Sequence, residues 1–390
     1  MTARAARPLR IAFLLAFGLL LLAAPPSARA GHADLPPEGA ICTPRRYRED
    51  PEHCPPLGPG PAQERLAAES LVYPFRPFPA HAPSRDLVWN PYAIARVRDG
   101  EKPIFASLDD AVAGEPVYQW LEAGFRYVSY IYVESRGGDD YYQIDFGRWM
   151  RGKDLAPVAG SSAFQGLEFT ATPRNAFGWV LFERESKRSP GLATDDYNGE
   201  TYYRFDVVQI YAVRQAEGGD WYLIGPDEWL EGRLVAAVFP KTTPPEGVDN
   251  GRWIEINLAE QTLAVYEDHR LVFATAISTG GHGQWTRPGL HQAYRKVADE
   301  TMQGSFTLDR SDYYYLEGVV WTVYFDAARA MHGAYWHSGF GVPLSRGCVN
   351  LSTGDAQWVF NWIEEGDWVY VHDPSGETPT DPALYGDGGA

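Results

Sequence analysis

A cysteine set in Ser345-Arg346-Gly347-Cys348-Val349-Asn350, sixteen residues after the pair His332-Gly333, supplies the residue types of a nucleophile and its base. The other two cysteines, Cys42 and Cys54, lie close together near the N-terminus and can pair with each other, which leaves Cys348 as a lone thiol. A cysteine nucleophile needs a base to form thiolate, donors for the oxyanion, and a group that orients the base. Gly347 permits close backbone approach, so the amides of Gly347 and Cys348 are candidate oxyanion donors. His332 can accept the thiol proton while a nearby backbone carbonyl holds its other nitrogen, and His337 in the same loop competes for that role. Asn350 is placed to hydrogen-bond a peptide substrate.

Other chemistries find no matching pattern. The sequence has no HExxH and no paired CxxC, so neither a zinc site nor any other metal or cofactor is expected. It has no Gly-x-Ser-x-Gly, the mark of one large class of serine hydrolases. Gly280-Gly281-His282-Gly283 is not followed by a helical pattern and reads as a loop, with His282 and His291 as loop or strand residues rather than ligands.

The elements around the cysteine must hold it in register with the histidine. Ser352-Thr-Gly-Asp355 is a capping box that opens a helix through Ala356, Val359, Phe360 and Ile363, bracing the cysteine turn from behind. Upstream, Arg252 to Leu258, Gln261 to Tyr266 and Leu271 to Ile277 alternate in strand fashion, the last two joined by the polar turn Glu267 to Arg270. A β-meander therefore opens this domain, and Pro240, Pro244, Pro245 and Gly247 mark its boundary.

Before that boundary lies an internal repeat. Asp140 to Gly152 overlays Asp220 to Gly232 at a constant offset of 80 residues, matching Tyr142 with Tyr222, Ile144 with Ile224 and Trp149 with Trp229. Two units of one small β fold are expected, at 86–160 and 161–245, with their aromatics filling small cores in preference to stacking on glycans. Residues 31–85 are Pro-rich with little apolar periodicity and read as a linker, stapled locally if Cys42 and Cys54 bond. Residues 1–30 carry arginines, a short apolar run from Ile11 to Ala24 and a small-residue site at Ala28-Arg29-Ala30, the pattern of a secretory signal peptide. The formal charge is −17 over the whole chain and more negative once the four arginines of that segment are removed, which disfavours a nucleic-acid partner.

Four ordered motifs then resemble one family. Thr275-Ala-Ile-Ser-Thr-Gly280, Thr286-Arg-Pro-Gly289, His332-Gly-Ala-Tyr-Trp336 and Ser345-Arg-Gly-Cys-Val-Asn350 look like those of the YkuD-type L,D-transpeptidase catalytic domain, here about residues 250–373 with 374–390 as a tail. The repeated units are similar in pattern to a tandem of bacterial Src-homology-3-like barrels. The expected fold is mostly β: tandem small barrel-like modules, then an all-β catalytic domain with a few short helices.

The resemblance implies a secreted enzyme of the cell envelope. Its cysteine attacks the third residue of a peptidoglycan tetrapeptide stem, releases the terminal D-Ala, and passes the acyl group to a neighbouring stem or to water. It implies Cys348 as nucleophile, His332 as base with the Gly333 carbonyl as orienter, and substrate contacts at Trp336, Ser345 and Asn350, with Tyr315 lining the pocket; His337 and Arg346 are further substrate-side candidates beside them. Carbapenem-type β-lactams are implied as covalent inhibitors, and residues 86–245 as a possible contact with the wall. Two positions depart from the family pattern: Arg346 replaces a histidine, and Arg287 replaces a proline. An arginine at 346 can hold a substrate carboxylate or lower the thiol pKa. The alternatives are an L,D-carboxypeptidase-type hydrolase and a peptidoglycan-binding protein inactivated by Arg346.

Overall fold

Alternation of apolar and polar residues drives most of the chain into strands, and a computed structural model shows how these strands combine. It describes residues 78–386 except residues 89, 161, 194 and 282. The expected signal segment, Cys42, Cys54, most of the Pro-rich stretch and His282 lie outside the described residues. The described chain is mostly β, with two α-helices, Leu108–Ala113 and Thr353–Trp362.

Two seven-stranded sheets face each other across the main core. In the first, Arg252–Asn257 pairs antiparallel with Thr262–Glu267 and parallel with Trp368–His372, and Arg270–Ala276 continues the meander. In the second, Arg329–Gly333 lies between Val349–Leu351 and the long strand Tyr314–Asp326. Ile254, Ile256, Leu263, Val265 and Phe273 from one sheet meet Val323, Phe325, Met331, Val349 and Leu351 from the other. The helix Thr353–Trp362 closes this core through Ala356 and Val359, and Trp358 stacks on Phe273 with ring centroids 4.2 Å apart.

That helix starts where the capping box requires. Ser352 Oγ accepts the Asp355 N–H at 3.2 Å, and the buried Asp355 carboxylate accepts the Gly166 N–H at 2.8 Å and the Thr275 hydroxyl at 2.7 Å. One carboxylate thus ties the helix to the meander and to the second repeat unit. Burial pushes Asp355 up to about 6, against the three hydrogen bonds that favour its ionised form.

The repeat extends to strand register. Tyr142 pairs with Met150 as Tyr222 pairs with Leu230, and Ser135 with Asp140 as Gln215 with Asp220, all at the 80-residue offset. The opening strands Ala93–Val97 and Ala176–Val180 stand 83 residues apart, so the first unit has three more residues than the second between its opening and second strands. A Cβ on Gly152 would stand 2.8 Å from the Asp140 carbonyl oxygen, and one on Gly232 would stand 2.9 Å from that of Asp220, so both turns require glycine. The matched Trp149 and Trp229 are buried, as is Tyr222.

These units are not beads on a string. Phe125–Tyr130 of the first unit pairs parallel with Tyr314–Asp326, with Tyr314 opposite Phe125 and Leu316 opposite Tyr127. Leu167–Phe169 of the second extends the other sheet against Arg270–Ala276. The end of the stretch read as a linker is also built in. Ala80–His81 pairs with Leu167–Phe169, Phe78 packs edge-on against Phe169 and Phe177, and the 3₁₀ turn Arg85–Val88 lies against the helix at Gly354. Proline-rich composition hides such a strand because an edge position tolerates the missing donors.

Candidate active site

Parallel pairing of Arg329–Gly333 with Val349–Leu351 sets His332 opposite Asn350 and Met331 opposite Val349, which brings the His-Gly pair beside the cysteine segment. The motif residues before them are wired to the same place. Ser278 and Asn350 exchange backbone hydrogen bonds of 2.9 and 2.8 Å, Ser345 donates its N–H to Thr279, and Thr286 Oγ1 donates to the Gly347 carbonyl at 2.9 Å.

Cys348 is 1% exposed and not in a disulfide. Its Sγ accepts the Ala330 N–H at 3.4 Å and lies 3.9 Å from the Ala328 carbonyl. Burial pushes the thiol up to about 12, opposed by the Ala330 N–H and by the Arg329 guanidinium. His332 is as deeply buried, its Nδ1 lies 3.5 Å from the Gly333 carbonyl, and its Nε2 has no hydrogen-bond partner. Burial pushes His332 down to about 4. At neutral pH the imidazole is therefore uncharged, and with the Nδ1 hydrogen on Gly333 its Nε2 carries an available lone pair.

His337 stands differently. Its Nδ1 accepts the Gly339 N–H at 3.1 Å and its Nε2 lies 2.9 Å from the Asn350 amide, so both nitrogens are occupied. Burial pushes it, too, down to about 4.

A cavity of about 290 Å³ opens beside these residues. His332, His337, Ser345, Arg346 and Asn350 give it polar walls, and Phe125, Tyr314, Leu316, Trp336 and Leu344 give it apolar ones. The thiol sits behind the wall, against Ala330. A thiol at about 12 is thiolate to only about 10⁻⁴ or less at pH 7.5, against about a tenth for an unperturbed cysteine. Labelling of the substrate-free protein by iodoacetamide at pH 7.5 is therefore expected to run about 10³-fold slower than labelling of the amino acid cysteine. Labelling within tenfold of the amino acid would contradict this burial.

Several sequence expectations change. The Gly347 amide donates to Ser345 Oγ at 3.2 Å, and that hydroxyl donates to the Cys348 carbonyl at 2.5 Å, so in this structure the Gly347 N–H is engaged within the turn. Tyr315 does not line the cavity. Strand alternation turns it to the other face, where its hydroxyl donates to Glu317 at 2.6 Å and it packs against the core of the first unit, as Tyr130 and Tyr142 do; Tyr314 and Leu316 line the cavity instead.

Arg346 reaches the cavity wall, but its Nη1 donates to the Asp312 carbonyl at 2.6 Å, and the cation that lowers the thiol is Arg329. Arg329 is buried, with Nη1 on Asp326 at 3.1 Å, Nη2 on the Gly386 carbonyl at 3.1 Å and its guanidinium over the Tyr385 ring of the C-terminal tail. Arg287, in the place of the usual proline, joins the same group by donating to Asp326 through Nε at 2.9 Å. No motif marked Arg329, Tyr314 or Phe125. The one available signal was strand alternation past Tyr315.

Among the described residues, no group of three or more His, Cys, Asp or Glu could hold a metal ion, and no helix is long and apolar enough to cross a membrane.

The family model of the YkuD L,D-transpeptidase catalytic domain matches residues 251–371. Residues 251–371 are a YkuD-type catalytic domain. No curated protein sequence matches the chain. Among solved structures, an L,D-transpeptidase from Stackebrandtia nassauensis is 24% identical with a TM-score of 0.27, covering 37% of this chain and 63% of its own. This chain thus spans under two thirds of that relative. The catalytic domain of the E. faecium L,D-transpeptidase is 26% identical with a TM-score of 0.29, covering 32% of this chain and all of its own. The same E. faecium domain acylated by ertapenem is 25% identical with the same TM-score and coverage. The YkuD domain takes in His332, Cys348 and the residues wired to them, and leaves the repeated units outside.

Proposed function

We propose that this YkuD-domain protein is a secreted cell-envelope enzyme that transfers acyl groups between peptidoglycan stem peptides through Cys348. The observation that carries this reading is the unpartnered Nε2 of the buried His332, held beside the Cys348 segment by parallel strand pairing. His332 takes the thiol proton as sulfur bonds to the carbonyl carbon of the stem's third residue. The C–N bond to the terminal D-Ala then breaks, and the same imidazole returns the proton to the departing amine. An amine of a second stem closes the cycle as a cross-link, or water closes it by hydrolysis, and either frees Cys348.

Residues 86–245 meet the wall and position the catalytic domain on it. The same acylation extends to carbapenem-type β-lactams, whose strained carbonyl offers the thiol an equivalent target. Incubating the protein with a disaccharide tetrapeptide and following product masses tests the reading. Loss of D-Ala with formation of a dimer is expected. D-Ala loss with no dimer supports the carboxypeptidase reading, and an unchanged tetrapeptide leaves a peptidoglycan-binding protein.

A further inference from the structure

The apolar side of the catalytic cavity is not made by the catalytic domain alone. Phe125, from the first repeat unit, lines the cavity with 39% of its surface still exposed, nearly 190 residues before Tyr314 with which its backbone pairs. Its position is fixed from several sides. The Phe125 N–H donates to the Tyr313 carbonyl at 2.9 Å, and its ring meets Tyr127 edge-on at 5.2 Å. Gly124 passes so close that a Cβ there would stand 2.2 Å from the Tyr313 oxygen.

The next residue, Arg126, is buried and donates to the carbonyls of Arg98 at 2.6 Å, Gly100 at 2.8 Å and Leu121 at 3.1 Å, which locks the turn preceding Phe125. Across the junction Arg310 pairs with Glu122 at 2.8 Å. The segment that holds Phe125 also holds the cavity's cation, because Asp312, one residue earlier, accepts from Arg346 Nη1 through its carbonyl at 2.6 Å and sets its carboxylate 3.9 Å from the same nitrogen. An aromatic face and a guanidinium from two distant segments are thus held by one stretch of chain, Asp312 and Tyr313.

We propose that the first repeat unit is a wall of the substrate cleft, and that Phe125 determines specificity by packing on the aliphatic side chain of the substrate's third residue while Arg346 faces a carboxylate. This rests on the acyl-transfer reading above. A long methylene chain that carries a carboxylate at its end fits such a pair, and a short side chain leaves the ring with nothing to cover.

The test compares full-length wild type, Phe125→Ala and Trp120→Ala on two tetrapeptides, one with a diamino diacid, whose side chain ends in an amine and a carboxylate, and one with alanine at the third position. Trp120 is exposed on the same unit and does not line the cavity. Phe125→Ala is expected to raise KM for the diamino substrate about tenfold, leave kcat within about twofold, and lose the wild type's preference for it over the alanine substrate. Trp120→Ala is expected to keep both KM values. An unchanged KM in Phe125→Ala, an equal loss on both substrates, or the same change in Trp120→Ala would overturn the proposal. Absence of D-Ala release from wild type would instead defeat the acyl-transfer reading; tetrapeptide affinity followed by tryptophan fluorescence would then show whether Phe125 forms the wall, an unchanged Kd in Phe125→Ala overturning it.

Discussion

Cys348→Ala is expected to abolish both D-Ala release and dimer formation, with a rate loss of about 10³-fold or more, while the protein stays folded. The chemistry leaves no substitute, because this is the only cysteine in the chain outside the pair near the N-terminus. Alanine keeps the backbone hydrogen bonds of the turn, including the Ser345 hydroxyl to the residue 348 carbonyl. The fold loses one buried sulfur and its contact with the Ala330 N–H, a cost of about 1–2 kcal/mol. A cooperative thermal transition near that of wild type, with no turnover, is the expected pair of readings. Residual D-Ala release above a tenth of wild type would mean that another group attacks the substrate.

His332→Gln should cost about 10²–10⁴-fold in D-Ala release, the usual worth of a positioned general base. Its sharper signature is the pH profile. Burial holds His332 near 4, below an ordinary histidine, so its Nε2 stays unprotonated from neutrality down to mildly acidic pH. The wild-type rate should therefore hold as pH falls through 6.5 and drop only as pH approaches 4, where protonation removes the base. In His332→Gln that acid limb should disappear along with most of the rate. The same loss from His337→Gln, with His332→Gln near wild type, would reverse the assignment. Against that outcome stands the occupation of both His337 nitrogens by Gly339 and Asn350.

The sequence carried the chemistry further than the architecture. The lone thiol, the upstream His-Gly pair and the capping box at Ser352 are local patterns, and local patterns survive in one dimension. The repeat was legible because its offset is constant, and the structure carries that offset into strand register. What one dimension hides is pairing between segments far apart. Nothing in Phe125 to Tyr130 or in Tyr314 to Asp326 announces that these strands lie side by side, so the cavity's far wall was invisible.

The same gap explains Arg346 and Arg329. Sequence proximity to Cys348 favoured Arg346, but its side chain is drawn to the Asp312 carbonyl. Arg329, nineteen residues away in sequence, is brought to the thiol by the hairpin that carries Ala328 and Ala330. Tyr315 failed for a simpler reason, a one-residue error of phase on a strand, which exchanges the two faces.

The departures at 287 and 346 become structural choices once the contacts are visible. Arg287 and Arg329 share the buried carboxylate of Asp326, and Arg346 is anchored by a backbone oxygen, so neither position blocks His332 from the cysteine segment.

Intact-mass and peptide mapping of the full-length protein after exposure to a carbapenem is the most direct test of Cys348 as nucleophile. A single covalent adduct on the peptide containing Cys348, absent from Cys348→Ala and strongly slowed in His332→Gln, is the predicted result. An unmodified Cys348 after prolonged exposure, or an adduct on another residue, would contradict it.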